Sequence, residues 1–245
     1  MKIIADTHTH TLASGDAFST ITENIMAAKK KGLRALAITD HTTSSPSAPE
    51  SLYFYNTIAL PDIFEDVILI RGAEVNILDY EGTLDLPDSI LDGLEWVIAS
   101  MHKVVMLPQS KEDHTRAWLA IAENPLVDLI GHCGDPTFAF ELEPVMQAFA
   151  KNEKVVEINT HSPVGRPGSE LICREVASLC KKYSIPVVVN SDAHFHGRIG
   201  EFEKGIQLLN SLDFPEELVL NADLKRLLTH ISKRSKRKFP PELCL

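Results

Sequence analysis

The chain has 245 residues, of which 44% are hydrophobic and 24% are charged, and its formal net charge is -10. A chain of this size and apolar content can bury a large core, and we expect a single domain over residues 1–245. The acidic balance argues against a general affinity for nucleic acid, which needs a basic surface, so extended nucleic acid is not an expected partner.

The chain shows no secretory pattern and no run of 18 apolar residues, which predicts a cytoplasmic protein without a membrane span. The four cysteines, Cys133, Cys173, Cys180 and Cys244, have no C-x-x-C spacing, and disulfides are not expected in that compartment. The basic run at 233–238 is expected to be a solvated helix end. Nothing in the sequence specifies an oligomeric state.

Short apolar runs recur along the chain and alternate with amphipathic segments. Such runs are typical of parallel strands buried on both faces. The predicted strands cover 2–5, 35–39, 67–74, 96–100, 127–131, 155–159 and 187–191. The predicted helices cover about a dozen residues from 20, then 87–91, 111–123, 142–152, 169–183, 201–212 and 223–235. The pattern therefore consists of seven strand and helix units.

Two connections between the predicted elements differ from the rest. Residues 42–56 are rich in Ser and Pro and are predicted to form a long loop, followed by a helix up to about residue 66. Residues 79–82 are predicted to form the turn of a small inserted hairpin.

Regular alternation of strand and helix predicts an α/β fold with a parallel sheet and right-handed crossovers. A candidate metal ligand lies at or just beyond the C-terminal end of six of the seven strands. An open sheet would bring only a few strand ends to one site, whereas a closed barrel brings all of them together. We therefore predict a (β/α) barrel of about seven strands, with a C-terminal helix.

The first candidate ligands are His8 and His10. Side chains two residues apart in an extended segment point the same way, so both imidazoles can reach one cation. An H-x-H pair alone is weak evidence, but residues at the later strand ends match it. The full candidate set is His8, His10, Asp16, His41, Glu74, His102, His132, Asp192 and His194.

Each of these residues could singly cap a helix, but nine in phase with the strands are hard to explain by capping. Imidazoles and carboxylates together suit zinc, manganese or iron rather than magnesium or calcium. One ion cannot use nine ligands, whereas two or three ions can, if Glu74 bridges two of them.

The residues at these strand ends resemble the PHP domain family, named for polymerases and histidinol phosphatases. The matching motifs are DTHTH at 6–10, ITDH at 38–41, GAE at 72–74, SMH at 100–102, GH at 131–132 and SDAH at 191–194. Further segments resemble a YcdX-like subgroup of small stand-alone phosphatases, namely EIN at 157–159, GSE at 168–170, CREV at 173–176 and GEFE at 200–203.

The resemblance implies a distorted (β/α)7 TIM-like barrel that holds up to three divalent ions. The implied ligand sets are His8, His10, Glu74 and Asp192 for the first ion, Glu74, His102 and His132 for the second, and Asp16, His41 and His194 for the third. The chain departs from the subgroup pattern at Asp16, where the pattern has His, and at Cys133, where it has Pro. The harder oxygen ligand of Asp16 shifts the metal preference toward manganese or iron.

Formal charge connects the three implied ions to a substrate class. Six neutral imidazoles and three carboxylates give -3 against +6 from the ions, and a bridging hydroxide leaves +2, which balances a phosphate monoester dianion. We expect hydrolysis of a small phosphomonoester by a metal-bridging hydroxide. Glu74 and Asp192 are the predicted catalytic residues, with Asp192 as ligand and proton acceptor. Asp40 is expected either to orient an imidazole or to cap a helix.

The predicted substrate-binding residues lie in loops after the last strands. Arg166 and Arg198 could each bind phosphate with a guanidinium fork, and either could instead be a solvated loop residue. His161 and His196 are further candidates, and Cys133 is expected to be a packing residue.

Three other functions compete with the phosphomonoesterase. A phosphodiesterase or exonuclease could use the same site, although the acidic charge disfavours a long nucleic-acid substrate. An amidohydrolase usually carries a ligating lysine on a middle strand, and no lysine ends a strand here in phase. A catalytically inactive metal-binding regulatory module is disfavoured because the set of nine residues is complete.

Overall fold

The computed structural model describes residues 1–235, 237 and 239, and the predicted parallel barrel is confirmed. Its strands are β1 (Ala5–Asp6), β2 (Ala35–Ile38), β3 (Ile63–Phe64), β4 (Val67–Asn76), β5 (Trp96–Ser100), β6 (Leu129–Ile130), β7 (Val155–Asn159) and β8 (Val187–Asn190). Seven of them are parallel neighbours in the order β1-β2-β4-β5-β6-β7-β8, and β3 pairs antiparallel with β4. Cys244, Lys236 and Lys238 lie outside the described residues.

Amphipathic helices surround the barrel and begin at side-chain caps where the sequence supplies them. Thr20 and Glu23 form a capping box at α1, and Ser110 and Asp113 form one at α4. The helices are α1 (Ile21–Lys30), α2 (Ser51–Asn56), α3 (Asp88–Leu91), α4 (Lys111–Glu123), α5 (Leu142–Lys151), α6 (Ser162–Gly165), α7 (Ser169–Tyr183), α8 (Glu203–Ser211) and α9 (Leu224–Arg234). Within the described residues, none of them is both long and apolar enough to cross a membrane.

The barrel interior changes from apolar to polar along each strand. Ile68 and Ile70 of β4 belong to a buried cluster that α9 closes with Leu227 and Ile231. Side chains of a strand alternate between its two faces, so the inward series of β4 continues from Ile68 and Ile70 to Glu74. α9 therefore covers the N-terminal end of the barrel, and the polar side chains occupy its C-terminal end.

Side-chain hydrogen bonds close the seam between β8 and β1, and Asn221 makes three of them. Asn221 Nδ2 donates hydrogen bonds to Ala5 O at 2.9 Å and to Val189 O at 2.7 Å. Its Oδ1 accepts from Val189 N at 3.0 Å, and the residue is fully buried. Further along the seam, Thr9 and Ala193 form a parallel bridge. Asn221 thus takes the place of backbone pairing where the two strands diverge.

The prediction for residues 42–66 was wrong in part. The chain forms α2 inside the expected loop, and the expected helix ends early because Ile63 and Phe64 pair with β4. Glu65 and Asp66 both have positive φ, of 52° and 64°, which closes a tight hairpin turn. Such turns usually carry Asn-Gly or Asp-Gly, so the sequence had no strong turn signal here. The hairpin predicted around 79–82 is present, with an antiparallel bridge between Ile77 and Leu84.

The basic run near the C-terminus was expected to be a solvated helix end, and this prediction was wrong in part. Two of its arginines form ion pairs with residues of the barrel. Arg234 binds Asp128 at 2.6 Å, and Arg237 binds Glu95 at 3.0 Å. The side chains of Arg234 and Arg237 are only 15% and 9% exposed, whereas that of Lys233 is 58% exposed. The charges of the run do not by themselves show which of its cations are buried and which are exposed.

We predict that Asn221→Ala destabilises the barrel at its seam. The substitution leaves one buried N–H and two buried carbonyl groups unpaired, which should lower the free energy of unfolding by roughly 2–4 kcal/mol. Urea unfolding measures the change. Asn152→Ala is the control, because Asn152 makes a single local bond to Ala148 O at 2.9 Å. Equal losses in the two variants would contradict the closing role of Asn221.

Candidate metal centre

The barrel brings all nine predicted ligand residues to its C-terminal end. Each residue lies near or beyond the C-terminal end of a strand. Two imidazoles follow β1, and the loop after them supplies a carboxylate. One residue each comes from the ends of β2, β4, β5 and β6, and two come from the end of β8. In chain order these are His8, His10, Asp16, His41, Glu74, His102, His132, Asp192 and His194.

Glu74 lies in the middle of this cluster and is 1% exposed. Five imidazole nitrogens surround its carboxylate. They are His41 Nδ1 at 2.8 Å, His132 Nε2 at 2.8 Å, His8 Nε2 at 3.4 Å, His102 Nε2 at 3.4 Å and His10 Nε2 at 3.6 Å. Ser100 Oγ donates a hydrogen bond to Oε1 at 2.7 Å. One buried carboxylate therefore connects rings that follow four different strands.

Asp192 faces the first imidazole pair. Its Oδ1 lies 3.3 Å from His10 Nε2 and 3.5 Å from His8 Nε2. The two Nε2 atoms are 3.1 Å apart, and both rings are fully buried. The pair is therefore enclosed between the carboxylates of Asp192 and Glu74, in the deepest part of the cluster.

Asp16 occupies the open side of the cluster. Its Oδ2 lies 3.5 Å from His41 Nε2 and 3.6 Å from His194 Nε2. The Asp16 side chain is 55% exposed and that of His194 is 30% exposed. The cluster thus runs from a buried end to a solvent-facing end.

Three groups of donor atoms are close enough to hold an ion, with the atoms of each group within 4.8 Å of one another. The groups are His8–His10–Glu74, His41–Glu74–His102 and His10–His41–His194. The first agrees with part of the predicted first ligand set. The predicted second set has His132 in place of His41, and both rings lie 2.8 Å from Glu74. The allocation of ligands to individual ions stays a prediction.

Hydrogen bonds to Nδ1 orient the first two rings. Glu157 Oε1 lies 2.6 Å from His8 Nδ1, and a carboxylate can only accept there, so Nδ1 carries the proton. Ser14 Oγ lies 3.0 Å from His10 Nδ1 and donates its own proton to Asp40 Oδ1 at 2.8 Å. His10 therefore donates to Ser14, and the Nε2 lone pair of each neutral ring points into the cluster.

Hydrogen bonds to Nδ1 also orient two further rings. His102 Nδ1 lies 2.8 Å from Asn76 Oδ1, whose amide nitrogen donates to Asp85. His194 Nδ1 lies 3.0 Å from the backbone carbonyl of Asp192. Four of the six rings thus carry the proton on the outer nitrogen and present Nε2 to the carboxylates.

This donor set fits divalent cations. Within the described residues, the buried Oε2 of Glu74 and Nδ1 of His41 lie 2.8 Å apart without forming a hydrogen bond, and neither atom has another hydrogen-bond partner. Burial raises the pKa of Glu74 and of Asp192, but the surrounding histidines, His8 first, outweigh burial and hold both pKa values well below their usual range. Ionised carboxylates and imidazole lone pairs that face one another need a cation between them, and this mixture of donors suits zinc, manganese or iron.

An open cleft of about 480 Å³ leads from solvent to the cluster. Arg166 lines the cleft, with Nη1 3.6 Å from Asp192 Oδ2 and Nε 3.9 Å from Asp135 Oδ2. Within the described residues, the buried Nη1 atom has no hydrogen-bond partner. His161 also lines the cleft, and its pKa is lowered, chiefly by burial. Both side chains are therefore available to a bound molecule.

The other candidate substrate residues lie differently. Arg198 is 57% exposed, pairs with Glu201 at 3.7 Å, and lines a neighbouring groove rather than the cleft. His196 Nδ1 lies 3.0 Å from Ser19 Oγ. Cys133 is buried in the apolar core outside the barrel wall, as expected of a packing residue, and burial raises the pKa of its thiol.

The sequence-based prediction missed most of the residues that hold the rings. Asp40 acts on His10 through Ser14, which agrees with the first of its two expected roles, the orientation of an imidazole. Ser14, Asn76 and Glu157 were not assigned a role. Glu157 carries a usable signal: it is a lone carboxylate inside an otherwise apolar strand, in phase with the inward-facing Val155. Ser14 and Asn76 carry none, because short polar residues at strand ends are common.

The fold and the residue cluster together define a TIM-like barrel with a candidate multinuclear metal centre. The PHP domain model matches residues 6–161, and the PHP-associated model matches residues 172–203. The chain belongs to the PHP domain family.

Curated relatives match nearly the whole chain. A probable phosphatase of Clostridium botulinum (strain Langeland) is 40% identical over 238 residues, which cover 97% of this chain and 98% of the relative. A probable phosphatase of Thermoanaerobacter sp. (strain X514) is 42% identical over 244 residues, which cover 99% of each. A similar fold is found in histidinol phosphate phosphatase of Lactococcus lactis, which was solved with zinc, L-histidinol and phosphate. The TM-score is 0.64 at 18% sequence identity, and the match covers 86% of this chain and 94% of that one.

We predict that zinc binding to the metal-free protein at pH 7 releases at least two protons. Burial lowers the pKa of His8 and of His41, but the neighbouring carboxylates outweigh it, so that the pKa of His8 is well above its usual value and that of His41 is about 10. Both rings are therefore protonated at pH 7, and a cation must displace those protons. Calorimetry in two buffers of different ionisation enthalpy measures the release. Equal apparent enthalpies in both buffers would contradict it.

Proposed function

We propose that the protein is a metal-dependent phosphatase that hydrolyses the phosphate monoester of a small molecule at a trinuclear site. The observation that carries the proposal is the set of six imidazoles and three carboxylates beside Arg166, whose buried Nη1 atom has no hydrogen-bond partner within the described residues. The full-length relatives named probable phosphatases support it, as does the zinc and phosphate of the Lactococcus lactis neighbour. The protein is proposed to work in the cytoplasm.

The ligand sets of the three ions are proposed as the family resemblance implies them. They are His8, His10, Glu74 and Asp192, then Glu74, His102 and His132, then Asp16, His41 and His194. Bound divalent ions would lower the pKa of a water molecule toward neutrality and neutralise charge on the phosphoryl oxygens.

Arg166 binds the phosphate. Its side chain is 16% exposed and lies at the cleft wall, so water competes weakly for its donors. Asp192 and Asp135 lie on either side of it at 3.6 and 3.9 Å, beyond hydrogen-bond distance, and they hold the guanidinium without saturating it. A phosphoryl oxygen supplies the acceptor that Nη1 lacks.

Asp192 accepts a proton from the attacking water. Burial opposes ionisation of the carboxyl, but His8, His10 and Arg166 keep its pKa well below the usual range. Asn159 Nδ2 donates to Oδ2 at 3.0 Å, which fixes the plane of the carboxylate. Glu74 orients the imidazole rings on both sides of its carboxylate. His161, which is neutral at pH 7, lies in the cleft wall and donates a hydrogen bond to the substrate.

The size of the cleft supports a small substrate. Its volume of about 480 Å³ lies within the usual range for sites that enclose small molecules. The net charge of -10 works against a long polyanion, whose binding depends on displaced counterions.

The first test compares a phosphate monoester with a diester. Protein loaded separately with zinc, manganese or iron is assayed with p-nitrophenyl phosphate and with bis(p-nitrophenyl) phosphate. We expect metal-dependent hydrolysis of the monoester, which is lost in His8→Ala together with the ion that His8 is proposed to bind, while the two ligand sets without His8 keep their ions. His230→Ala, on α9 at the opposite end of the barrel, should keep the activity and all bound ions. Hydrolysis of the diester alone, or full metal occupancy without any turnover, would contradict the proposal.

The second test addresses phosphate binding. Arg166→Met should lower kcat/KM for p-nitrophenyl phosphate by roughly 100-fold, because a buried charged donor to the phosphoryl group is lost. Bound metal should be unchanged, and Arg166→Lys should recover part of the activity. Arg174→Ala is the control, since Arg174 is exposed and bonds Ser211 on the outer helices. A kcat/KM for Arg166→Met within twofold of wild type would exclude Arg166 from binding.

A further inference from the structure

We propose that Glu157 is a positioning residue of the metal centre, which holds the proton of His8 on Nδ1 and so directs the Nε2 lone pair into the cluster. The inference rests on the metal cluster of the proposed function. It assigns to a residue that contacts none of the proposed ions the task of making His8 a competent ligand.

Glu157 is placed by β7 inside the barrel, two residues beyond the inward-facing Val155, and is 4% exposed. Its two oxygens reach two different ligand segments. Oε1 lies 2.6 Å from His8 Nδ1, and Oε2 accepts a hydrogen bond from the backbone N–H of His132 at 2.8 Å. The side chain therefore connects the segment after β1 with the segment after β6.

Two amides complete the surroundings of this carboxylate. Asn190 Nδ2 donates to Oε1 at 2.9 Å, and Asn159 Nδ2 donates to Oε2 at 3.0 Å. Neither amide can turn over, because each Oδ1 already accepts two hydrogen bonds. These come from Thr7 N and Thr7 Oγ1 for Asn190, and from His161 N and Ser162 N for Asn159.

The two carboxylate oxygens of Glu157 thus accept from four donors, and the carboxylate itself has no proton to donate. A neutral His8 ring can satisfy this arrangement only with its proton on Nδ1. The opposite ring nitrogen then carries a lone pair that points at Glu74 Oε2 and Asp192 Oδ1, 3.4 and 3.5 Å away.

Glutamine at position 157 has the same shape but one oxygen fewer. Its amide nitrogen must face either the fixed N–H of His132 or the movable proton of His8. An amide nitrogen that faces His8 costs less free energy than one that faces His132, because His8 can shift its proton to Nε2. That tautomer presents an N–H to the cluster and cannot bind a cation there. The bond to the backbone of His132 survives, so Glu157→Gln changes only the Oε1 side, where His8 and the donor Asn190 Nδ2 lie.

The experiment is chelator competition on zinc-loaded full-length protein, with retained zinc per chain measured by mass spectrometry. We expect Glu157→Gln to lose zinc at a roughly 10- to 100-fold lower chelator concentration than wild type, as is usual when a partner of a ligating histidine is removed. Glu95→Gln is the matched control. Glu95 is also a buried glutamate, 3% exposed, but it binds Arg71 and Arg237 away from the cluster.

A double-variant cycle distinguishes positioning from general destabilisation. If Glu157 acts through His8, then Glu157→Gln has no further effect on zinc retention in a His8→Ala background. Nitrogen-15 NMR of zinc-loaded wild type adds a readout that needs no variant, and we expect His8 to show a protonated Nδ1 and a metal-bound Nε2. Wild-type zinc retention in Glu157→Gln, an equal loss in Glu95→Gln, additivity with His8→Ala, or a metal-bound Nδ1 would each overturn the inference.

The inference and the proposed function fail in different ways. Zinc retention that depends on Glu157, in a protein without phosphomonoesterase activity, would support the positioning role and contradict the phosphatase. Phosphomonoesterase activity with zinc retention indifferent to Glu157→Gln would do the reverse.

Discussion

The structure depends on how buried carboxylates at one end of a barrel are neutralised. Glu74 and Asp192 are almost fully buried, and a buried charge is tolerated only when it is paired. Five imidazole nitrogens surround Glu74, but neutral rings present lone pairs rather than protons to it. Either the rings take up protons or cations enter between them. The high pKa values of His8 and His41 in the metal-free protein correspond to the first state, and the proposed holoenzyme corresponds to the second.

The barrel makes this concentration of charge possible by separating its two ends. Apolar side chains and α9 fill the N-terminal half, which gives the barrel interior a core that contains none of these charged groups. At the C-terminal end, residues of other strands bind the outer nitrogens of two rings, Glu157 for His8 and Asn76 for His102. Ser14 binds His10 within one segment, but it is itself held by Asp40 from another. Ligand orientation therefore depends on contacts between segments, and no single segment folds into a site on its own.

Much of the barrel could be predicted because its strands are buried on both faces. The apolar runs that became β5 and β7 are bounded by polar residues, and the predicted limits agree with the observed ones. α4 was equally clear, because Ser110 and Asp113 form a capping box at its start. The hairpin closed by Glu65 and Asp66 was missed because its positive φ angles come from tertiary pairing of β3 with β4 and not from turn residues.

The nine candidate ligands were predictable because each recurs at the same point of a repeating unit. Their partners were not, since Asn76 and Glu157 act through contacts that the closed barrel creates, and Ser14 is aligned by Asp40 from a different segment. For the same reason, charge alone did not separate Arg166, in the cleft wall, from Arg198, which pairs with Glu201 on the surface.

Glu74 is proposed to bind two ions, and the metal content of a Glu74→Gln variant measures whether it does. Wild type and variant are loaded with zinc under identical conditions, freed of loosely bound metal and analysed for zinc per chain. We expect wild type to hold more than one ion and the isosteric variant to lose two of them together, because the amide removes the charge shared by both. A variant that keeps the wild-type zinc content would exclude Glu74 as the shared ligand.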